Sequence, residues 1–82
     1  MAKPVHRVDD IDNAYHRAAE GSPNVFVNGK AWHRLGDKDE KNQKLASGSN
    51  VVFVNSKPAG RVGDKDDNNN TKISGSANVY AG

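Results

Sequence analysis

The sequence predicts an all-β domain made of three copies of one β-hairpin unit, with a period of 27 residues. The segment GSPNVFVNGKAWHRLGDKD, which begins at Gly21, returns at Gly48 as GSNVVFVNSKPAGRVGDKD, and Gly75 begins a shorter third copy, GSANVYAG. Each copy carries a short run of β-branched and aromatic residues bounded by turn-forming residues. The one stretch that resembles a helix, residues 9–20, has weak caps, so we expect no helix longer than one or two turns.

The period is constant along the whole chain, without insertions. The start of the chain, KPVHRVDD, is the rear half of a unit, so three full periods span the 82 residues as a circular permutation. We therefore expect a single domain over residues 1–82. The residues that recur at this spacing include Lys3, Lys30 and Lys57; Arg7, Arg34 and Arg61; and Asp10, Asp37 and Asp64.

Within each unit, a first strand precedes a tight turn. These strands are expected at residues 24–27, 51–54 and 78–81. Asn28-Gly29 and Asn55-Ser56 follow, and Asn-Gly is a strong hairpin signal because both residues tolerate positive φ. The returning strands are expected at residues 30–35 and 57–62, and each leads into a polar loop.

The inward-facing side chains can be assigned in two ways. Three hairpins can share one core around a pseudo-three-fold axis, because a lone hairpin is marginally stable in water. Either the valines or the aromatic residues of the first strands would meet there. These sets are Val25, Val52 and Val79, or Phe26, Phe53 and Tyr80. Beyond the strands, we expect Asp37 and Asp64 to cap their loops and to pair with Arg34 and Arg61.

Composition restricts how so small a domain is stabilised and what it binds. The hydrophobic fraction is 34% and there is no cysteine, so disulfides and thiolate ligands are excluded. A metal held by histidine and oxygen, a docking partner, or both must supplement a thin core. The net charge of +2 comes from interspersed charges without a basic, aromatic-rich cluster, which argues against nucleic-acid binding. Neither a signal peptide nor a transmembrane segment is predicted.

The motifs of the repeat resemble a known family. The runs GSPNVFVNGKAWHRLGD and GSNVVFVNSKPAGRVGD are similar to the signature unit of the PAAR-repeat family. Residues 58–61, Pro-Ala-Gly-Arg, stand where the Pro-Ala-Ala-Arg of that family falls, and residues 31–34 and 4–7 are diverged copies. The resemblance implies a small conical β-domain that caps and sharpens the trimeric β-helical spike of a contractile phage tail or a type VI secretion system. It also implies a structural role rather than an enzymatic one.

The same resemblance implies partners and a location. One monomer would dock on one spike trimer, because internal pseudo-three-fold symmetry matches true three-fold symmetry in a partner. The target-cell outer membrane would be contacted transiently during puncture. We therefore expect the protein at the tail tip of a phage virion or at the tip of a secretion spike. On periodicity alone, a duplicated trefoil-like or solenoid domain without such a partner remains open.

The histidines are the candidate metal ligands. PAAR proteins typically hold zinc with three histidines and one cysteine, so the resemblance implies one transition metal, zinc or alternatively iron, on His6, His16 and His33. His6 and His33 fill one slot in two repeats, and Gly60 takes that slot in the third. The cysteine position falls within residues 67–69, Asp-Asn-Asn, where an amide is a poor substitute for a thiolate. Water as the fourth ligand, a different metal and loss of the site all remain open.

A second function class is also compatible with the repeats. The chain could be a small metal-binding β-repeat module, lectin-like or hydrolytic, unrelated to a spike. No general base is expected near the histidines, no nucleophile motif is present, and the loops lack the aromatic residues of a lectin. The sequence therefore favours the spike tip.

Overall fold

The computed structural model describes residues 2–82 and confirms the all-β prediction. Six two-residue strands form three antiparallel pairs, β2 with β3, β4 with β5, and β1 with β6. No helix within residues 2–82 is long and apolar enough to cross a membrane. The strands are β1 (Lys3–Pro4), β2 (Phe26–Val27), β3 (Lys30–Ala31), β4 (Phe53–Val54), β5 (Lys57–Pro58) and β6 (Tyr80–Ala81).

The hairpin turns are those that the sequence predicts. Asn28 and Gly29 have φ angles of 54° and 79°, and Asn55 and Ser56 have 54° and 66°. Positive φ at both central residues is typical of a type I′ turn, whose twist matches that of the strands. The third hairpin is formed by the two ends of the chain, with Lys3 opposite Ala81. The chain ends thus lie where the other repeats have a turn, as a circular permutation requires.

The strands are shorter than predicted, because each one pairs with its hairpin partner over only two residues. The chain leaves its own hairpin and forms single bridges with neighbouring repeats, so the predicted strands at residues 30–35 and 57–62 do not continue as regular ladders. Closing three units around an axis requires each unit to pair on two sides, which ends a long hairpin early. The bridges that join the repeats are Val5 with Arg61, Arg7 with Trp32, and Arg34 with Ala59.

A closed cycle of backbone hydrogen bonds lies at the pseudo-three-fold axis. His33 N–H donates to His6 O at 3.1 Å, Gly60 N–H donates to His33 O at 2.8 Å, and His6 N–H donates to Gly60 O at 3.1 Å. The three residues are one repeat apart, so each makes the same two bonds. A Cβ at Gly60 would lie 2.5 Å from His33 O, which explains why glycine occupies this position.

The hydrophobic core lies under the hairpins and is small. The second residues of β2, β4 and β6 are buried, whereas the first residues are more than half exposed. Of the two alternatives, the one in which the aromatic residues meet at the axis is therefore wrong, because strand alternation turns them outward. Val25, Val52 and Val79 are half-buried, and Val52 and Val79 pack against the core cluster of Val5, Val27 and Ala81.

The predicted arginine–aspartate pairs are confirmed and recur in every repeat. Arg34 Nε donates to Asp37 Oδ2 at 2.8 Å and Arg34 Nη2 donates to Asp37 Oδ1 at 3.0 Å. The backbone N–H of Arg34 also donates to Asp37 Oδ2, so the carboxylate caps the turn as well. Burial would raise the pKa of Asp37, but the hydrogen bonds and charge of Arg34 outweigh it and hold the pKa below its usual value. Arg7 with Asp10 and Arg61 with Asp64 are the equivalent pairs.

Substitution of Gly60 by alanine should destabilise the domain by about 2–3 kcal/mol or more, because the new methyl group meets a backbone oxygen of the cycle and Leu45 Cδ2. Urea unfolding of the purified protein measures this loss. Gly29→Ser is the matched control: no atom lies within 4 Å of a Cβ at Gly29, and Ser56 adopts a positive φ in the same turn position of the next repeat, so its cost should be limited to backbone strain of roughly 1 kcal/mol. Equal stability of the Gly60 and Gly29 variants would contradict the importance of the cycle.

Candidate metal centre

A column of buried polar side chains lies inside the loop end of the domain. It consists of a histidine pair, one lysine and a ring of three carboxylates, with the partly buried His16 beside the ring. Five buried nitrogen or oxygen atoms of this column have no hydrogen-bond partner among residues 2–82. Unpaired buried polar atoms are costly, so their concentration here marks this region as a candidate site. These atoms are Nε2 of His6 and His33, Nζ of Lys72, Oδ2 of Asp12 and Nδ1 of His16.

The structure brings His6 and His33 into contact, with ring centroids 5.5 Å apart and ring planes at 75°. His6 Nδ1 lies 2.8 Å from Ser74 O, and His33 Nδ1 lies 2.6 Å from Glu20 O. Because a carbonyl only accepts, Nδ1 carries the proton in both rings and Nε2 keeps its lone pair. A carbonyl that orients an imidazole in this way is a common arrangement behind a metal-binding histidine.

Both imidazoles are held in the neutral form. Burial lowers the pKa of His6 to about 4, with the backbone bond to Ser74 opposing it and the charges of His33 and Lys72 adding to it. The pKa of His33 is also lowered, mainly by burial. The pair therefore offers two neutral nitrogen donors near pH 7.

Asp12, Asp39 and Asp66 occupy equivalent positions in the three loops, and all three are buried. In each of them, Oδ1 accepts two backbone N–H groups, from the residues two and four positions later, at distances of 2.8–3.0 Å. The loops repeat in their backbone as well, since Tyr15, Asn42 and Asn69 have φ angles of 63°, 63° and 62°. Capping thus occupies Oδ1 and leaves Oδ2 of each carboxylate available to side chains.

The carboxylate ring encloses a lysine that breaks the symmetry. Lys72 is 1% exposed, and its Nζ lies 3.7 Å from Asp12 Oδ2 and 3.5 Å from Asp66 Oδ2. The other two repeats have Ala18 and Leu45 at this position. Burial would raise the pKa of Asp66, but backbone N–H groups of its loop and the charge of Lys72 outweigh it and lower the pKa. Lys72 therefore acts as an internal counter-ion.

The predicted ligands fall into two groups. His6 and His33 form the pair, whereas His16 lies in the carboxylate ring, with Nδ1 3.7 Å from Asp12 Oδ2 and 3.9 Å from Asp39 Oδ2. Within residues 2–82, only Asp12, His16 and Asp39 place three candidate ligand atoms within 4.8 Å of one another. A single metal on His6, His16 and His33 stays a prediction.

Sequence reasoning missed the carboxylate ring and its lysine. The aspartates recur at the 27-residue spacing, so the repeat itself could have identified them as one set. Their side chains looked like those of solvated loops because the surrounding segments are rich in charge and asparagine. Lys72 carries no such signal, since burial of a lysine depends on neighbours that are distant in the chain.

Comparison with protein families agrees with this architecture. A family model for the PAAR motif matches residues 18–74, well over half of the chain. The chain belongs to the PAAR family. His33 and Lys72 lie within the matched range, and His6 and His16 precede it. A search of curated proteins found no match to the chain.

Stability in the presence of a chelator should fall by about 3 kcal/mol as the pH decreases from 6.5 to about 4, owing to His6 alone. The folded state holds this histidine neutral, whereas the unfolded chain takes up a proton below the unfolded pKa. The contribution of His6 to the free energy of unfolding is therefore complete above that pKa and is lost as the pH falls below it. Asp10, Asp37 and Asp66 have lowered pKa values, so they lose their contributions in a lower window, below about pH 4.

Urea unfolding at several pH values, compared with the His6→Asn/His33→Asn double variant, measures this dependence. Asparagine keeps a donor near the position of Nδ1 but does not titrate. A variant with the same slope as the wild type between pH 6.5 and 4 would show that other groups are responsible.

Proposed function

We propose that this protein is the structural tip of a trimeric β-helical spike in a contractile injection machine, either a phage tail or a type VI secretion system. Membership of the PAAR family, whose members are known as spike-tip proteins, supports a structural tip role. We further propose that one monomer binds one spike trimer and that the protein helps to pierce the target-cell outer membrane. Its location would be the tip of the virion tail or of the secretion spike.

The observation that carries the docking part of the proposal is a ring of exposed aromatic residues, which we term the aromatic ring. Phe26, Phe53 and Tyr80 are 59%, 57% and 54% exposed and lie one repeat apart. Residues related by the pseudo-three-fold axis lie at the same height along it, so each subunit of a trimeric partner can meet one of them. Exposed aromatic residues are frequent anchors of protein interfaces.

Symmetry distinguishes this aromatic ring from isolated surface residues. Tyr15 is 77% exposed, but its equivalents in the other loops are Asn42 and Asn69. An aromatic residue is thus present at the hairpin position in all three repeats, whereas the loop position of Tyr15 is aromatic in one repeat. A partner with true three-fold symmetry uses the first arrangement and gains nothing from the second.

Glutamate at any one position of the aromatic ring should weaken binding to the cognate spike trimer at least about 10-fold, because a charge would be buried in an apolar contact. The factor should be similar for Phe26→Glu, Phe53→Glu and Tyr80→Glu, since the contacts are equivalent. Biolayer interferometry with immobilised spike measures the affinities, and native mass spectrometry measures the ratio of one chain per trimer.

Tyr15→Glu is the control and should bind like the wild type. Two outcomes would contradict docking through the aromatic ring: unchanged binding of all three variants, or loss confined to Tyr15→Glu. A wild-type chain that does not associate with its spike would contradict the tip function itself.

We also propose that the loop end carries one transition metal ion, zinc by analogy with the family, or iron. The family resemblance predicts His6, His16 and His33 as ligands. The free Nε2 atoms of the histidine pair support the first and third of these, and the unpartnered Nδ1 of His16 supports the second. Metal binding adds to folding free energy, which suits a small domain that must resist axial load.

Purified wild-type protein should contain one zinc or iron ion per chain by inductively coupled plasma mass spectrometry, and EDTA should lower its Tm by at least about 5 °C. His16→Asn should lose both the ion and the effect of EDTA. Protein free of both metals, after growth and purification without chelator and after incubation with each ion, would contradict the metal proposal but not the docking proposal.

A further inference from the structure

The carboxylate ring has three sides, and two of them are occupied by donors. Lys72 Nζ forms ion pairs with Asp12 and Asp66, at 3.7 and 3.5 Å from their Oδ2 atoms, although it makes no hydrogen bond to either. The amide of Gln43 fills the second side when its nitrogen faces the ring, with Nε2 3.2 Å from Asp39 Oδ2 and 3.3 Å from Asp66 Oδ2. In this orientation Oε1 also accepts a hydrogen bond from Asn68 Nδ2 at 2.9 Å, so both ends of the amide are satisfied.

The third side, between Asp12 and Asp39, holds an imidazole, which can be a metal ligand, whereas the ammonium of Lys72 has no lone pair to offer. His16 Nδ1 faces both carboxylates, but at 3.7 and 3.9 Å it is too far for a hydrogen bond to either. Asp12 is fully buried, and its Oδ2 has no hydrogen-bond partner among residues 2–82. A tetrahedral zinc ion with ligands at about 2.0–2.2 Å keeps its ligand atoms roughly 3.3–3.6 Å apart. The distances from His16 Nδ1 to the two carboxylate oxygens exceed this range by only a few tenths of an ångström.

The charge of the ring supports the same conclusion. The ring brings together three buried carboxylates, Asp12, Asp39 and Asp66, and one buried lysine, so three formal negative charges face one formal positive charge. Buried charges without compensation are strongly unfavourable. One divalent cation beside the ammonium would balance the ring, and the third side is where its ligands converge.

We propose that Asp12 Oδ2, His16 Nδ1 and Asp39 Oδ2 bind a divalent first-row cation such as Zn²⁺, Mn²⁺ or Fe²⁺, with Lys72 Nζ on the adjacent side of the ring. Two carboxylates and one imidazole form a ligand set that suits these ions. The inference rests on the proposed metal of the loop end and replaces two of its predicted ligands, His6 and His33, by aspartates. In this arrangement the histidine pair is not part of the ion site.

The pseudo-symmetry supplies a matched pair of variants, Asp39→Asn and Asp66→Asn. Each replaces one buried carboxylate of the ring and keeps an Oδ1 that can cap its loop. Isothermal titration of chelator-treated protein with Zn²⁺ and with Mn²⁺ measures the effect. We expect Asp39→Asn to weaken binding at least about 100-fold, whereas Asp66→Asn and His33→Asn retain binding within about 10-fold of the wild type.

Loss of binding in His33→Asn together with retention in Asp39→Asn would overturn this ligand set while leaving the proposed metal intact. Absence of binding in the wild type would overturn both proposals. Anomalous diffraction from wild-type crystals soaked in ZnCl₂ gives a test that does not depend on the folding of any variant. The expected peak lies between Asp12, His16 and Asp39, and a peak confined to the Nε2 atoms of His6 and His33 would overturn the inference.

Discussion

The structure depends on the closed cycle of backbone hydrogen bonds that joins His6, His33 and Gly60 around the pseudo-three-fold axis. Each hairpin alone has two-residue strands and would not be stable in water. The cycle holds three of them in one register and places the residues that follow it, including the Arg–Asp turns and the loops, in equivalent positions. At residue 60 the close approach requires glycine, because a Cβ there would collide with His33 O.

The cycle of hydrogen bonds also divides the interior into an apolar part and a polar part. Under the hairpins, Val5, Val27 and Ala81 form a core too small to extend through the whole domain. Beyond the cycle the loops converge, and their backbone N–H groups need acceptors that the short strands cannot supply. Asp12, Asp39 and Asp66 meet this need with one oxygen each, and their second oxygens then face one another in the interior. A buried lysine, and in our proposal a metal ion, follow from the charge that this arrangement concentrates.

The three repeats carry similar residues at the hairpins, where a trimeric partner would require equivalent contacts. They carry different residues in the polar column, where a single ligand would require an asymmetric site. The aromatic ring at the hairpins is kept in all three copies, with similar exposure. In the polar column, by contrast, the slots hold His6, His33 and Gly60 at one level, and Ala18, Leu45 and Lys72 at another. A single cation bound off the axis requires such differences. The proposed docking and the proposed ion binding would thus make opposite demands on the repeats, and the hairpins and the loops would meet them separately.

The repeat and its turns were determined by the sequence, because local chemistry suffices for them. Asn28-Gly29 between two strand-forming segments indicates a hairpin, the aspartate three residues after each arginine caps a turn, and the constant period predicts the pseudo-three-fold arrangement. Other features depended on contacts between repeats, which only the tertiary structure decides. Strand alternation and ring closure turned Phe26, Phe53 and Tyr80 outward and ended the strands after two residues. The separation of His16 from the other histidines and the burial of Lys72 depend on which loops meet in space, and the spacing along the chain does not specify that.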